Sequence, residues 1–152
     1  MARPLALALG LVILIGGASF AQDLRGHGGP VRALSFGNGL LYSGSFDTRA
    51  IVWEGLVARQ VTHVHTGAVT AVQPMPSGFA SGGQDGQVAV WGDGPEPLSL
   101  DLLHEAPVSV LALLPEGLAS GGWDGRIAIR STEPLVFEAH QGQVTGLVPF
   151  GD

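Results

Sequence analysis

Three sets of side chains in this 152-residue chain are of the types used for acyl transfer. A histidine, a serine and an aspartate recur together as His27, Ser43 and Asp47, as His65, Ser81 and Asp85, and as His104, Ser120 and Asp124. A serine hydroxyl beside an imidazole, with the imidazole oriented by a carboxylate, is the arrangement that turns a weak alcohol into a nucleophile. That chemistry also requires an oxyanion site and a substrate cleft, and a nucleophile centre is normally single. Three equal copies suit an architectural role better. A buried polar side chain left unpaired costs about 1–3 kcal/mol. A closed set of such groups satisfies every member and pins strand register.

The spacing supports the architectural reading. His27, His65, His104 and His140 stand 38, 39 and 36 residues apart, and Asp47, Asp85 and Asp124 stand 38 and 39 apart. Each of the three aspartates lies 20 residues after its histidine and 4 after its serine. Trp53 and Trp91 follow their aspartates by 6, where the third unit has Arg130. Constant offsets across three units define an internal repeat.

The elements inside one period read as short strands. In the middle unit, "AVTAVQP" alternates between Gly67 and Pro74, "GFASGG" follows a Pro-Ser turn, and "QVAVW" is β-branched and aromatic. The Asp85-Gly86 step between the last two is a hairpin signal, and "PLSLDLL" supplies a fourth strand before the next histidine. Outside the N-terminal apolar run, no segment carries a helical apolar period.

A four-stranded unit of about 40 residues, with Gly-His near its start and Trp near its end, is a propeller-blade pattern. Over residues 24–152 the chain resembles the WD-repeat β-propeller family. The resemblance rests on Gly26-His27 and on "LLYSGSFDTRAIVWE", "GFASGGQDGQVAVWG" and "GLASGGWDGRIAIRS". It departs from the family pattern at Val64-His65, Leu103-His104 and Ala139-His140 in place of Gly-His. Trp53-Glu54, Trp91-Gly92 and Arg130-Ser131 likewise replace Trp-Asp. The expected fold is all-β: a partial propeller of four-stranded antiparallel blades, with units of about 27–64, 65–103 and 104–139 and a partial unit at 140–152, preceded by a helical signal peptide.

The resemblance implies that the repeated polar residues are structural. The histidine before the first strand would bond the aspartate of the second hairpin turn, with serine and tryptophan extending the chain. His27, Ser43, Asp47 and Trp53 would form one latch and His65, Ser81, Asp85 and Trp91 the next. In the third, His104, Ser120 and Asp124 lack the indole, so either Arg130 pairs with an acid or the blade is weaker. The family's contact positions, carried over residue by residue, fall just before the turn aspartate (Phe46, Gln84, Trp123), three after the histidine (Pro30, Ala68, Pro107, Gln143) and five after it (Arg32, Thr70, Ser109, Thr145). Arg32, Phe46 and Trp123 stand out, because aromatic and Arg side chains dominate binding hot spots.

Composition narrows the function further. The chain has 7 basic residues, all Arg, against 13 acidic ones and a net charge of −6. No basic run could track a phosphate backbone, which argues against nucleic acid. There is no Cys, so disulfides, thiolate metal sites and covalent haem attachment are excluded within the segment. His63 and His65 form an H-x-H pair whose side chains would share a face on one strand, but no third ligand is evident; neither a metal nor any other cofactor is expected. Arg3, the eleven-residue apolar run "LALALGLVILI" and the small residues Ser19 and Ala21 read as a cleaved secretory signal over 1–21. The run is too short to span a bilayer. Cleavage would start the mature chain near Gln22 in a periplasmic or secreted setting, with no membrane attachment.

Closed propellers have roughly four to eight blades, and this segment supplies three and the opening of a fourth. The missing blades are expected from further sequence, from self-association or from a multichain body. The expected function is a non-catalytic exported scaffold for protein–protein interaction. The alternative is an accessory propeller of a larger exported redox protein, such as one fused to a c-type cytochrome beyond residue 152.

Overall fold

The computed structural model describes residues 23–131 and 134–149. The segment read as a signal peptide therefore lies outside the described residues. Among the described residues, twelve strands form three four-stranded antiparallel sheets, each ordered as in the chain. The first blade holds β1 (Val31–Gly37), β2 (Leu40–Ser45), β3 (Arg49–Glu54) and β4 (Val57–His63). The second holds β5 (Val69–Pro74), β6 (Phe79–Gly83), β7 (Gln87–Trp91) and β8 (Pro97–Leu102). The third holds β9 (Val108–Leu114), β10 (Gly117–Gly122), β11 (Arg126–Arg130) and β12 (Leu135–Glu138). No helix occurs among the described residues.

Turn chemistry sets the registers. Asn38 and Gly39 both sit at positive φ between β1 and β2, the backbone that an Asn-Gly hairpin favours. After each latch aspartate the chain again needs positive φ. Gly86 and Gly125 meet that need at 78°, whereas the first blade places Thr48 there at 69°. A β-branched residue in this region is strained.

Each blade's first strand carries one extra residue opposite the second strand. Pairing skips Arg32 in β1, Thr70 in β5 and Ser109 in β9. Such a bulge re-aims the side chain it adds. All three residues lie five places after a latch histidine.

The blades pack face to face along two apolar seams. Tyr42, Ala50 and Val52 of the first blade meet Val69, Val72, Phe79 and Trp91 of the second. Tyr42 and Phe79 lie 5.4 Å apart, and Phe79 stacks on Trp91 at 5.8 Å. The next seam joins Ala80, Val88 and Val90 to Val108, Leu111 and Leu118. Close approach at each joint depends on a glycine. A Cβ added to Gly44 would stand 2.6 Å from Val69 Cγ1, and one on Gly82 would stand 2.5 Å from Val108 Cγ1. The third copy of this joint lies between Gly121 and Val144, again at 2.5 Å.

Beyond the third blade, residues 140–149 join no sheet. This differs from the strand expected at the start of a fourth unit. Among the described residues only the third blade lies beside the segment, and Val144 anchors it. The valine is buried, and its amide donates to Gly122 O at 3.0 Å.

Candidate functional site

The structure brings each histidine, serine and aspartate together within its own blade. In the first, His27 Nδ1 lies 3.0 Å from Asp47 Oδ2, and His27 Nε2 lies 2.7 Å from Ser43 Oγ. In the second, His65 stands 3.1 Å from Asp85 and 2.8 Å from Ser81. In the third, His104 stands 3.1 Å from Asp124 and 2.8 Å from Ser120. With Nδ1 protonated toward the carboxylate, Nε2 accepts the serine proton.

Two indoles complete the first two sets. Trp53 Nε1 donates to Ser43 Oγ at 2.8 Å, and Trp91 Nε1 donates to Ser81 Oγ at 2.9 Å. Each hydroxyl thus gives its proton to imidazole and receives one from indole. A reactive serine would instead present its oxygen to a substrate. Ser43, Ser81 and Ser120 are 2%, 0% and 1% exposed, and none lines a surface depression described below. The geometry of a nucleophile set is present without access to it.

The carboxylates are held by backbone donors as well. Asp47 accepts from the amides of Gly28 and Arg49, Asp85 from Thr66 and Gln87, and Asp124 from Glu105 and Arg126, at 2.7–3.1 Å. Burial alone would raise these carboxyls. The amide donors and the neighbouring histidines outweigh it and hold all three below the usual range. Burial pushes His65 down, and Asp85 beside it opposes this only in part. The first turn of each latch is thereby tied to the turn between the second and third strands.

Arg130 takes another route. Its Nε donates to Asp101 Oδ2 at 2.8 Å, linking β11 to β8 of the preceding blade. Ser120 consequently has no indole donor. His63 and His65 do not share a face. β4 ends at His63, which is exposed, and His65 turns inward to its latch. Same-face reasoning for H-x-H holds only while a strand continues. Among the described residues no group of three or more His, Cys, Asp or Glu is placed to hold a metal.

A depression of about 110 Å³ opens at the end of the blades where these turns lie. It is lined by Arg32, Phe46, Ala68, Thr70, Gln84, Pro107 and Trp123. All seven belong to the three classes of contact position carried over above. Three blades contribute to it. Phe46 and Trp123 remain 55% and 49% exposed although both are large and apolar. Arg32 points here because it is the extra residue of its bulge.

A larger cavity of about 430 Å³ lies at the opposite turns, between the first two blades. Asn38, Tyr42, Arg59, Gln60, Phe79 and Asp93 are among its walls. Sequence reasoning did not identify it. Its lining combines turn residues at Asn38, Pro76–Gly78 and Gly92–Asp93 with strand residues of both blades, and most of these are ordinary turn and core types that carry no chemical signal of their own.

The family model described as "WD domain, G-beta repeat" matches residues 18–54 and 58–92. The first match begins ahead of the Ala21–Gln22 boundary expected for signal cleavage. Comparison with curated protein sequences gives no match. Among solved structures, the computationally designed Ika4 protein is similar at 29% identity and a TM-score of 0.75, over 88% of this chain and 89% of that one. The designed Ika8 protein is similar at 31% identity and a TM-score of 0.76, over 86% of this chain and 43% of that one. The WD40 β-propeller domain of Doa1 is similar at 25% identity and a TM-score of 0.72, over 79% and 43% respectively. The chain thus spans less than half the length of the last two.

Proposed function

This chain carries WD repeats folded as β-propeller blades, and from that premise we propose that it is a protein-interaction scaffold whose partner seats at the turn-end depression. One observation carries the reading. Side chains from three different blades converge there, and two of them are large aromatic rings left half in water beside a guanidinium. Exposed aromatic and Arg groups around a small apolar recess form the kind of surface at which a few residues supply most of the affinity.

The chemistry of the recess selects the partner's contact. Ala68, Pro107, Phe46 and Trp123 give the recess its apolar lining, Thr70 and Gln84 add neutral polar groups, and Arg32 is the one charged group in that lining. An apolar side chain flanked by a carboxylate fits best. The proposed setting is outside the cytoplasm, a reading supported by the residue pattern at 1–21.

The test is partner capture from the periplasmic fraction of the source cells. Trp123→Ala should weaken retention of the captured protein by about tenfold or more, the loss expected at a hot spot. The variant should keep the wild-type unfolding temperature, because Trp123 is half exposed. Unchanged retention with Trp123→Ala and with Phe46→Ala would remove the depression as the binding surface.

A further inference from the structure

We infer that the cavity between the first two blades binds a free aromatic amino acid. It lies at the opposite end of the blades from the depression proposed for a partner, and it stands without that reading.

The neighbouring blades show what the blade frame itself requires at these positions. Tyr42 comes directly before the latch serine, where the other two blades have Ala80 and Ala119. Pairing of β4 with β3 skips Arg59, and pairing of β8 with β7 skips Leu98. A bulge re-aims the residue it adds, so one place in the frame carries a guanidinium in the first blade and an alkyl chain in the second. Gln60 follows Arg59, where Ser99 follows Leu98. The frame therefore demands neither the phenol, the guanidinium nor the amide. All three line this cavity.

The phenol is short of a partner. Tyr42 is 3% exposed, and its hydroxyl makes no hydrogen bond among the described residues. It is not sealed in as Ser99 Oγ is, so it meets the cavity. A buried hydroxyl without a partner is costly, and a bound ligand would supply one.

Two amides brace the walls. Asn38 Nδ2 donates to Met75 O at 2.8 Å, and Gln60 Nε2 donates to Gly92 O at 3.1 Å and Gly94 O at 2.6 Å. Both bridges run from the first blade to the second and hold the cavity open between them. Their donors are spent on the main chain, which leaves the amide oxygens as acceptors.

Arg59 and Asp93 are the charged groups of the lining. Asp93 is exposed and has no ion-pair partner among the described residues, and Arg59 has only Glu54 at 4.0 Å, in water. A guanidinium takes a carboxylate through paired N–H donors, and a carboxylate takes an ammonium. The floor is apolar: Val52, Phe79 and the ring of Tyr42, the two ring centres 5.4 Å apart. Such rings pack well against a further ring, offset or edge-on. The volume of about 430 Å³ lies within the roughly 300–1,000 Å³ of small-molecule sites. One carboxylate, one ammonium and a ring together describe a free aromatic amino acid. A peptide terminus carries only one of those charges beside its side chain. The ligand's carboxylate takes Arg59, its ammonium takes Asp93 and an amide oxygen, and its ring takes the floor. Either charged group can satisfy the Tyr42 hydroxyl, which both donates and accepts.

Isothermal titration calorimetry of L-phenylalanine into the full 152-residue chain tests this. One saturable site is expected. 3-Phenylpropanoate lacks the ammonium and 2-phenylethylamine lacks the carboxylate. Each should bind at least about tenfold more weakly, the loss of one hydrogen bond to a charged group. L-Alanine, which keeps both charges and lacks the ring, should also bind more weakly. Arg59→Gln should weaken L-phenylalanine about tenfold and leave 2-phenylethylamine unchanged. Asp93→Asn should weaken L-phenylalanine and leave 3-phenylpropanoate unchanged. Both side chains are exposed, so circular dichroism should show each variant folded. Tyr42→Phe keeps the ring and should weaken binding as well. Trp123→Ala should leave the affinity as it is; a loss there would move the ligand to the partner surface and overturn the inference. So would a titration without saturation, L-alanine binding as tightly as L-phenylalanine, or charge variants that lose affinity equally for all three ring-bearing probes.

Discussion

Arg130 Nε lies 2.8 Å from Asp101 Oδ2, so the side chain that stands in place of a latch tryptophan reaches back to the preceding blade. The two groups are each about one-third exposed, and a pair in that setting contributes about 0–1 kcal/mol. The tryptophan it replaces would bury a large ring and donate to Ser120, as Trp91 does to Ser81. Arg130→Trp is therefore expected to stabilise the chain by about 1 kcal/mol, the net contribution of one restored hydrogen bond. Asp101→Ala is expected to cost less than about 1 kcal/mol. Urea unfolding of both variants checks the pair; a loss of stability in Arg130→Trp would show that the third blade has adapted to the guanidinium.

The joint between blades makes a sharper demand. Gly82→Ala drives a methyl group toward Val108 Cγ1, which stands 2.5 Å from the new Cβ. Overpacking of this kind costs about 1–3 kcal/mol. Val108→Ala makes room, so the double variant should be more stable than the two single losses predict. A double-mutant cycle in urea with a coupling below about 0.5 kcal/mol would show that the joint is not close-packed.

Thr48 holds φ at 69° where its counterparts are Gly86 and Gly125 at 78°. The left-handed region costs an L-residue about 1–2 kcal/mol. Thr48→Gly should recover about 1 kcal/mol after the added freedom of the unfolded chain is counted. A raised unfolding temperature is the expected result, and a lowered one would contradict the strain.

Acid should loosen the fold, and the sign follows from both kinds of group. His65 is held below its ordinary value by burial, against the opposing pull of Asp85. As pH falls through about 6.5, the unfolded chain takes up a proton that the folded blade resists, so stability drops. Asp47, Asp85 and Asp124 are held low despite burial, by backbone donors and their histidines. Their contribution is whole above about pH 3.9 and disappears as pH falls through the folded values. Melting temperature should decline from about pH 7.5 to about pH 5 and fall again below about pH 4. His65→Gln should flatten the upper step. A melting temperature that rises toward acid would reverse the assignment.

Much of this arrangement was legible in the residues themselves. The offsets of 20 and 4 residues place histidine, aspartate and serine at one spot in each blade, because four short antiparallel strands return the chain to the same end twice. The hairpin of the middle unit could be read from Asp85-Gly86, since glycine is favoured where φ is positive; Asn38-Gly39 and Asp124-Gly125 form turns of the same kind. What escaped depends on neighbours in space. Asp101 as the partner of Arg130 belongs to another blade. The glycine holes exist only when two sheets are pressed together. The H-x-H pair was misjudged because β4 stops at His63, and the fourth unit formed no strand because a strand needs a partner to hold its backbone donors.

Ser81 is the decisive position of the latch, its hydroxyl enclosed between His65 and Trp91. Thermal unfolding of Ser81→Ala measures its role directly. Removing the hydroxyl leaves a buried imidazole nitrogen and an indole N–H unpaired, at a cost of about 1–3 kcal/mol. The melting temperature should fall by roughly 2–4 °C for each of those kcal/mol. A Ser81→Ala protein that melts with the wild type would contradict a structural latch and return the serine to the candidates for chemistry.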